Sequence, residues 1–126
     1  MSKLKIMTRV TRRSADNGKR RATNMSEAGL DALIEEATVD AYDESEQKTG
    51  FHTMLGEHLE MPFKTEVLGV EVTVEGMDSS EDGQIVAVCT RGKSRQRIPI
   101  LDLPLPKPPP GGAEWIDAYR RWARGR

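Results

Sequence analysis

Four carboxylates fall within seven residues, Asp40, Asp43, Glu44 and Glu46, with Tyr42 among them and no basic residue before Lys48. A second acidic set, Asp78, Glu81 and Asp82, follows with Ser79 and Ser80 interleaved. Hard divalent cations need several oxygen ligands at one point, and calcium tolerates irregular sets of carboxylates, carbonyls and waters. Both stretches therefore offer calcium chemistry. Neither is an EF-hand, because the Asp-x-Asp/Asn-x-Asp/Asn-Gly order is absent. A structural reading competes: Asp43 and Glu46 have capping-box spacing, and a charge run is commonly a solvated face.

Other chemistries are poorly supplied. His52 and His58 stand six apart, about 240° round a helix, and so cannot share a zinc ion from one face. Cys89 is the single cysteine and sits in the apolar run Ile85–Thr90, which reads as a buried structural thiol in a reducing compartment. No nucleophile–base pair, phosphate-binding glycine loop or dinucleotide fingerprint is present. A non-enzymatic, cytoplasmic protein is expected. No apolar run reaches membrane-spanning length.

The net charge of -1 conceals segregation. Residues 1–25 carry eight Lys and Arg against Asp16 alone; residues 26–82 carry sixteen Asp and Glu against Lys48 and Lys64; residues 83–126 carry nine Lys and Arg against three acids. Local fields therefore matter more than the total.

These residues need a scaffold, and the chain reads as α+β. Residues 1–23 are too polar to bury themselves and form a basic arm whose cations suit weak contact with nucleic-acid phosphates. Residues 24–104 form the helix and sheet domain; residues 105–126 form a Pro-rich connector and a terminal amphipathic helix. Asn24, with Glu27 three residues on, is read as the cap of a first helix carrying Leu30, Leu33, Ile34 and Ala37 on one stripe. A second helix spans about Glu44 to Glu60, with Phe51, Met54, Leu55 and Leu59 inward and Pro62 ending it. From Phe63 the period becomes two, through Val74 to Gly76 as one strand. Ile85–Thr90 is apolar on both faces and reads as central. Gly92-Lys93-Ser94 turns into a strand from Gln96 to Leu101, placed at an edge by Pro99. The last helix, Ala113–Arg124, shows Trp115, Ile116, Tyr119 and Trp122 on one face. The sum is a small antiparallel, SH3-like bent sheet or partial barrel with two N-terminal helices and one C-terminal helix.

In order and spacing the chain resembles the small non-EF-hand calcium-binding family typified by the cyanobacterial CcbP. The similarity rests on Val39-Asp40-Ala41-Tyr42, Glu46-Gln47 with Gly50, Met61-Pro62-Phe63, the run Gly69 to Met77 followed by acids, Ile98-Pro99-Ile100, and the helix with Trp115 and Trp122. It covers roughly residues 36–124. The resemblance implies a calcium-binding α/β domain with acidic surface ligands. It points first to Asp40 and Glu46, places Asp78, Glu81 and Asp82 at the family's acidic loop, and leaves Asp43 and Glu44 as local additions. The expected function is a soluble calcium buffer or weak sensor. The alternatives are a nucleic-acid-associated SH3-like module, using the basic arm and Arg-rich last helix, and an acidic face that docks a basic protein.

Overall fold

The computed structural model describes residues 22–125. The elements run α1 (Glu27–Ala37), α2 (Glu44–His58), β1 (Phe63–Val67), β2 (Val70–Ser79), β3 (Ile85–Arg91), β4 (Ser94–Pro99), a 3-10 turn Ile100–Asp102, and α3 (Glu114–Arg124). The basic arm read over residues 1–23 lies, as far as residue 21, outside the described residues. The four strands form one antiparallel sheet in the order β1-β2-β3-β4. It is an open meander whose edges are β1 and β4, and among the described residues no pairing closes it into a barrel.

The sheet positions everything else through one face. Phe63, Thr65 and Val67 pair with Val74, Val72 and Val70, and Val74 pairs with Cys89. Alternation along each strand puts this set on the side that meets the helices. Val74, Ala87 and Cys89 are buried there. Ile85, Val86, Ala87, Val88 and Cys89 are buried without interruption, as a strand covered on both faces requires. The register slips between Val74 and Gly76, a bulge of the kind that bends a strand.

The helices close the core with aromatic rings. Phe51 of α2 has no exposed surface, and its ring centroid lies 5.4 Å from those of both Tyr119 and Trp122 of α3. The expected face of the last helix is present, with Trp115, Ile116, Tyr119 and Trp122 all buried. Trp122 also donates its indole N–H to Gln47 Oε1 at 2.8 Å, fixing α3 to α2. Arg121 grips α1, with Nε 2.7 Å from Asp31 Oδ1 and Nη1 3.8 Å from Glu27.

Four sequence expectations are revised. The cap of α1 is Ser26, whose side chain accepts from the Gly29 N–H, and not Asn24. The buried Asp117 explains the delay: its oxygens accept from the N–H groups of Ala22 and Thr23 and from the Thr23 hydroxyl at 2.7–2.8 Å. That clamp holds the chain on α3 just before the helix begins. Helix α2 ends at His58 instead of Glu60, with Leu59 as its extended C-cap. The last strand is Ser94–Pro99, and Ile100, Leu101 and Asp102 leave it as the 3-10 turn.

The fourth revision is the largest. The single strand read from Phe63 to Gly76 is two strands, joined by a two-residue turn at Leu68-Gly69. Both turn residues have positive φ, 52° and 79°, as a type I′ hairpin demands. Leucine is a poor occupant of that conformation, and here it is 98% exposed. Leu68→Asn is therefore expected to raise stability by up to about 1 kcal/mol, since asparagine tolerates the left-handed region. Chemical denaturation of the two proteins measures it. A lowered midpoint would show that Leu68 makes a favourable contact.

Candidate metal centre

Helices α1 and α2 meet at a connection set by local chemistry. Thr38 caps α1 with its N–H on the Ile34 carbonyl, and Ala41 N–H returns to the Thr38 carbonyl at 3.0 Å. Asp40 lies inside that turn with φ 61°, a region Asp enters more readily than most residues. Asp43 then caps α2, its Oδ1 accepting from the Glu46 N–H at 2.8 Å. Glu46 reaches back so that its Oε1 accepts from the Tyr42 N–H at 2.7 Å. This is the anticipated reciprocal cap, shifted so that glutamate takes the N–H one residue before the cap.

Glycine brings the two helices to this closeness. A Cβ on Gly50 would lie 2.0 Å from the Ala37 carbonyl oxygen. The approach leaves a shallow depression of roughly 330 Å³ lined by Asp40, Glu46, Ser45 and Thr49, together with Ala37, Val39, Ala41 and Gly50. Asp40 and Glu46 thus share one concavity with two hydroxyls and several backbone positions. Tyr42, 87% exposed, stands beside it.

The remaining acids are placed elsewhere. Glu44 lines a separate cavity with Lys48, Gln84, Asp102, Tyr119 and Trp122. Asp78 is on β2, paired with Arg97 Nη2 at 2.5 Å and accepting from the Ser79 N–H. Asp82, in the β2–β3 loop, accepts from the Ser80 hydroxyl. That hydrogen bond above all holds its carboxyl below the usual carboxylate range, with a smaller contribution from the Lys48 charge. Glu81 is exposed in the same loop. Among the described residues, no three His, Cys, Asp or Glu side chains gather closely enough to hold a metal ion. The seven candidates therefore divide, and only Asp40 and Glu46 line the α1–α2 depression.

Two residues at these acidic stretches carried little sequence signal. Lys48 lies one helical turn beyond Glu44, an i, i+4 spacing that favours opposite charges. It reaches the β2–β3 loop, its Nζ 3.8 Å from where a Cβ on Gly83 would stand. Asp102, on the 3-10 turn, meets this cavity only through the fold.

Cys89 fits its expected structural role. It is buried, and burial pushes its thiol pKa up, away from reactivity. Of the arginines at the end of α3, Arg124 is exposed and the other two are less free. Arg121 is committed to Asp31 and Glu27, and Arg120 is partly buried. No helix among the described residues is long and apolar enough to cross a membrane.

The CcbP-type family model, described as calcium binding, matches residues 31–123. The chain belongs to this calcium-binding family, whose description names an ion and no reaction. Among solved structures, it is similar to one described as a calcium binding protein in the calcium-binding form. That likeness has a TM-score of 0.63 and 21% sequence identity, and covers 80% of this chain and 98% of the other. At that identity the likeness establishes the fold. No curated protein matches the chain.

Proposed function

We propose that this member of a calcium-binding family holds its ion in the depression between α1 and α2 and serves as a soluble calcium buffer or weak sensor. Asp40 and Glu46 are the carboxylate ligands in this reading. One observation carries it: these two acids line the same concavity, while the other acids are dispersed or paired. Two carboxylates with hydroxyl, carbonyl and water oxygens suit a hard cation of flexible coordination. They do not suit zinc, which favours four ligands rich in nitrogen and sulfur. Glu46 can serve both roles, because one oxygen satisfies the Tyr42 N–H while the other is left for the ion.

Calorimetric titration of calcium into three variants tests the assignment. Asp40→Asn and Glu46→Gln are each expected to weaken binding by about tenfold, roughly 1.4 kcal/mol. Glu57→Gln, an exposed acid on the far part of α2, is expected to leave it unchanged. Equal small losses from all three would mean diffuse screening by an acidic surface. The wild-type melting temperature is expected to rise in millimolar calcium, because a ligand bound to the folded state stabilises it by mass action.

A further inference from the structure

The cavity that Glu44 lines is separate from the α1–α2 depression and differs from it in chemistry. Its volume is roughly 330 Å³, at the small end of ligand-binding cavities. Ile85 of β3, Leu101 of the 3-10 turn, and Tyr119, Trp122 and Ala123 of α3 give it apolar walls. Tyr119 and Trp122 are only 5% and 8% exposed, so they belong to the core and offer the cavity an apolar margin. Two carboxylates from separate elements line the same space, Glu44 on α2 and Asp102 on the 3-10 turn, and Gln84 adds an amide. The Asp102 side chain makes no hydrogen bond or ion pair among the described residues.

Lys48 also lines this cavity, but its charge is directed at the β2–β3 loop. Its Nζ lies 3.8 Å from where a Cβ on Gly83 would stand, and Asp82, whose carboxyl is lowered chiefly by the Ser80 hydroxyl, also feels the Lys48 charge. Two carboxylates beside one apolar space repel each other, and a cation between them relieves that cost. Calcium is a poor occupant, because it takes about six to eight oxygens and apolar walls supply none. Among the described residues, no third acid completes a metal-holding group there. An anion is repelled, and a neutral apolar molecule leaves the carboxylates without a counter-charge. An ammonium head on a short apolar stem meets both demands. The head takes charge-assisted hydrogen bonds from the carboxylates, and the stem covers Ile85, Leu101 and the ring margins.

We infer that this cavity binds a small free alkylammonium ion, with Glu44 and Asp102 on the ammonium group and Ile85, Leu101, Tyr119 and Trp122 along the stem. The assignment does not depend on calcium binding at the α1–α2 depression. The isotope-labelled full chain is titrated with n-butylammonium chloride at constant ionic strength, and the backbone amides of Ile85, Leu101 and Ala123 are followed by NMR. Saturable shifts at these three amides are expected. Sodium pentanoate, the same butyl stem with a carboxylate head, is expected to leave them in place, and calcium is not expected to displace the amine. Asp102→Asn and Glu44→Gln, at exposed positions, are each expected to weaken binding about threefold, the scale of an exposed ion pair. Lys48→Gln is expected to tighten it about twofold, because a like charge leaves the lining. Glu57→Gln is expected to keep the wild-type affinity, and melting curves verify that each variant is folded. No saturable shift, the same shifts with pentanoate, or full displacement by calcium would overturn the inference. So would an unchanged affinity in the double variant Glu44→Gln, Asp102→Asn. Tighter binding of acetyl-lysine methylamide than of butylammonium would assign the cavity to a lysine of another protein and equally overturn it.

Discussion

Replacing Gly50 with alanine is expected to destabilise the protein by about 3 kcal/mol, the upper end of what overpacking costs. Intrinsic helix propensity argues the reverse, because alanine inside a helix is favoured over glycine by about 1 kcal/mol. The clash decides the sign. The new methyl carbon would stand 2.0 Å from the Ala37 carbonyl oxygen and 3.1 Å from its carbonyl carbon. Both are backbone atoms at the end of α1, and no rotamer change moves them. The helices must separate, and Asp40 and Glu46 separate with them, since they belong to opposite sides of the junction. Denaturant unfolding and calcium titration of Gly50→Ala are therefore expected to fall together. Increased stability would show that α1 yields easily and that the close approach does not hold the depression in shape.

Phe51→Ala should be at least as damaging, at about 3–5 kcal/mol. The residue is completely buried, and its ring tilts at 44° and 45° against Tyr119 and Trp122. Such tilted aromatic pairs add to the stabilisation from burial alone. Ring removal leaves a cavity where α2, α3 and the sheet meet, with large rigid neighbours poorly able to fill it. For a domain whose net stability is on the order of 5–15 kcal/mol, this approaches unfolding. Thermal unfolding and near-UV circular dichroism measure it. A loss below about 1 kcal/mol would show that the tryptophan and tyrosine rings collapse into the space.

These two neighbours show what was legible in the sequence. Phe51 announced itself, because apolar residues at helical spacing with Met54, Leu55 and Leu59 can bury only one stripe. Gly50 gave no local hint of its role, since its contact with Ala37 depends on how two helices pack. The central position of Ile85–Cys89 was readable for the same reason as Phe51: an uninterrupted apolar run must be covered on both sides. The hairpin at Leu68-Gly69 was concealed because leucine stands where asparagine or glycine would mark the turn, so an apolar alternation seemed to run on.

The candidate ligands divide in the same way. The cap made by Asp43 and Glu46 follows from three-residue spacing and could be read directly. That Asp40 shares a depression with Glu46 while Glu44, two residues earlier, faces Lys48 and Asp102 depends on helical rotation and loop placement. Crowding in the sequence therefore overstated proximity in space. Asp78 shows this again, since nineteen residues separate it from the Arg97 that claims its carboxylate.

The cap at the start of α2 has one further consequence, for rates. A cation held by Asp40 and Glu46 sits beside the first turn of a 15-residue helix, where the aligned peptide dipoles present partial positive charge. The helix repels the ion it borders, by about 0.3–1 kcal/mol for an exposed terminus. Asp43 and Glu44 offset part of this repulsion from within the same turn. Some of the acidity around Asp40 therefore makes the position tolerable without gripping the ion. In the proposed site this repulsion weakens the hold on calcium and favours its release, the direction that a buffer or weak sensor needs.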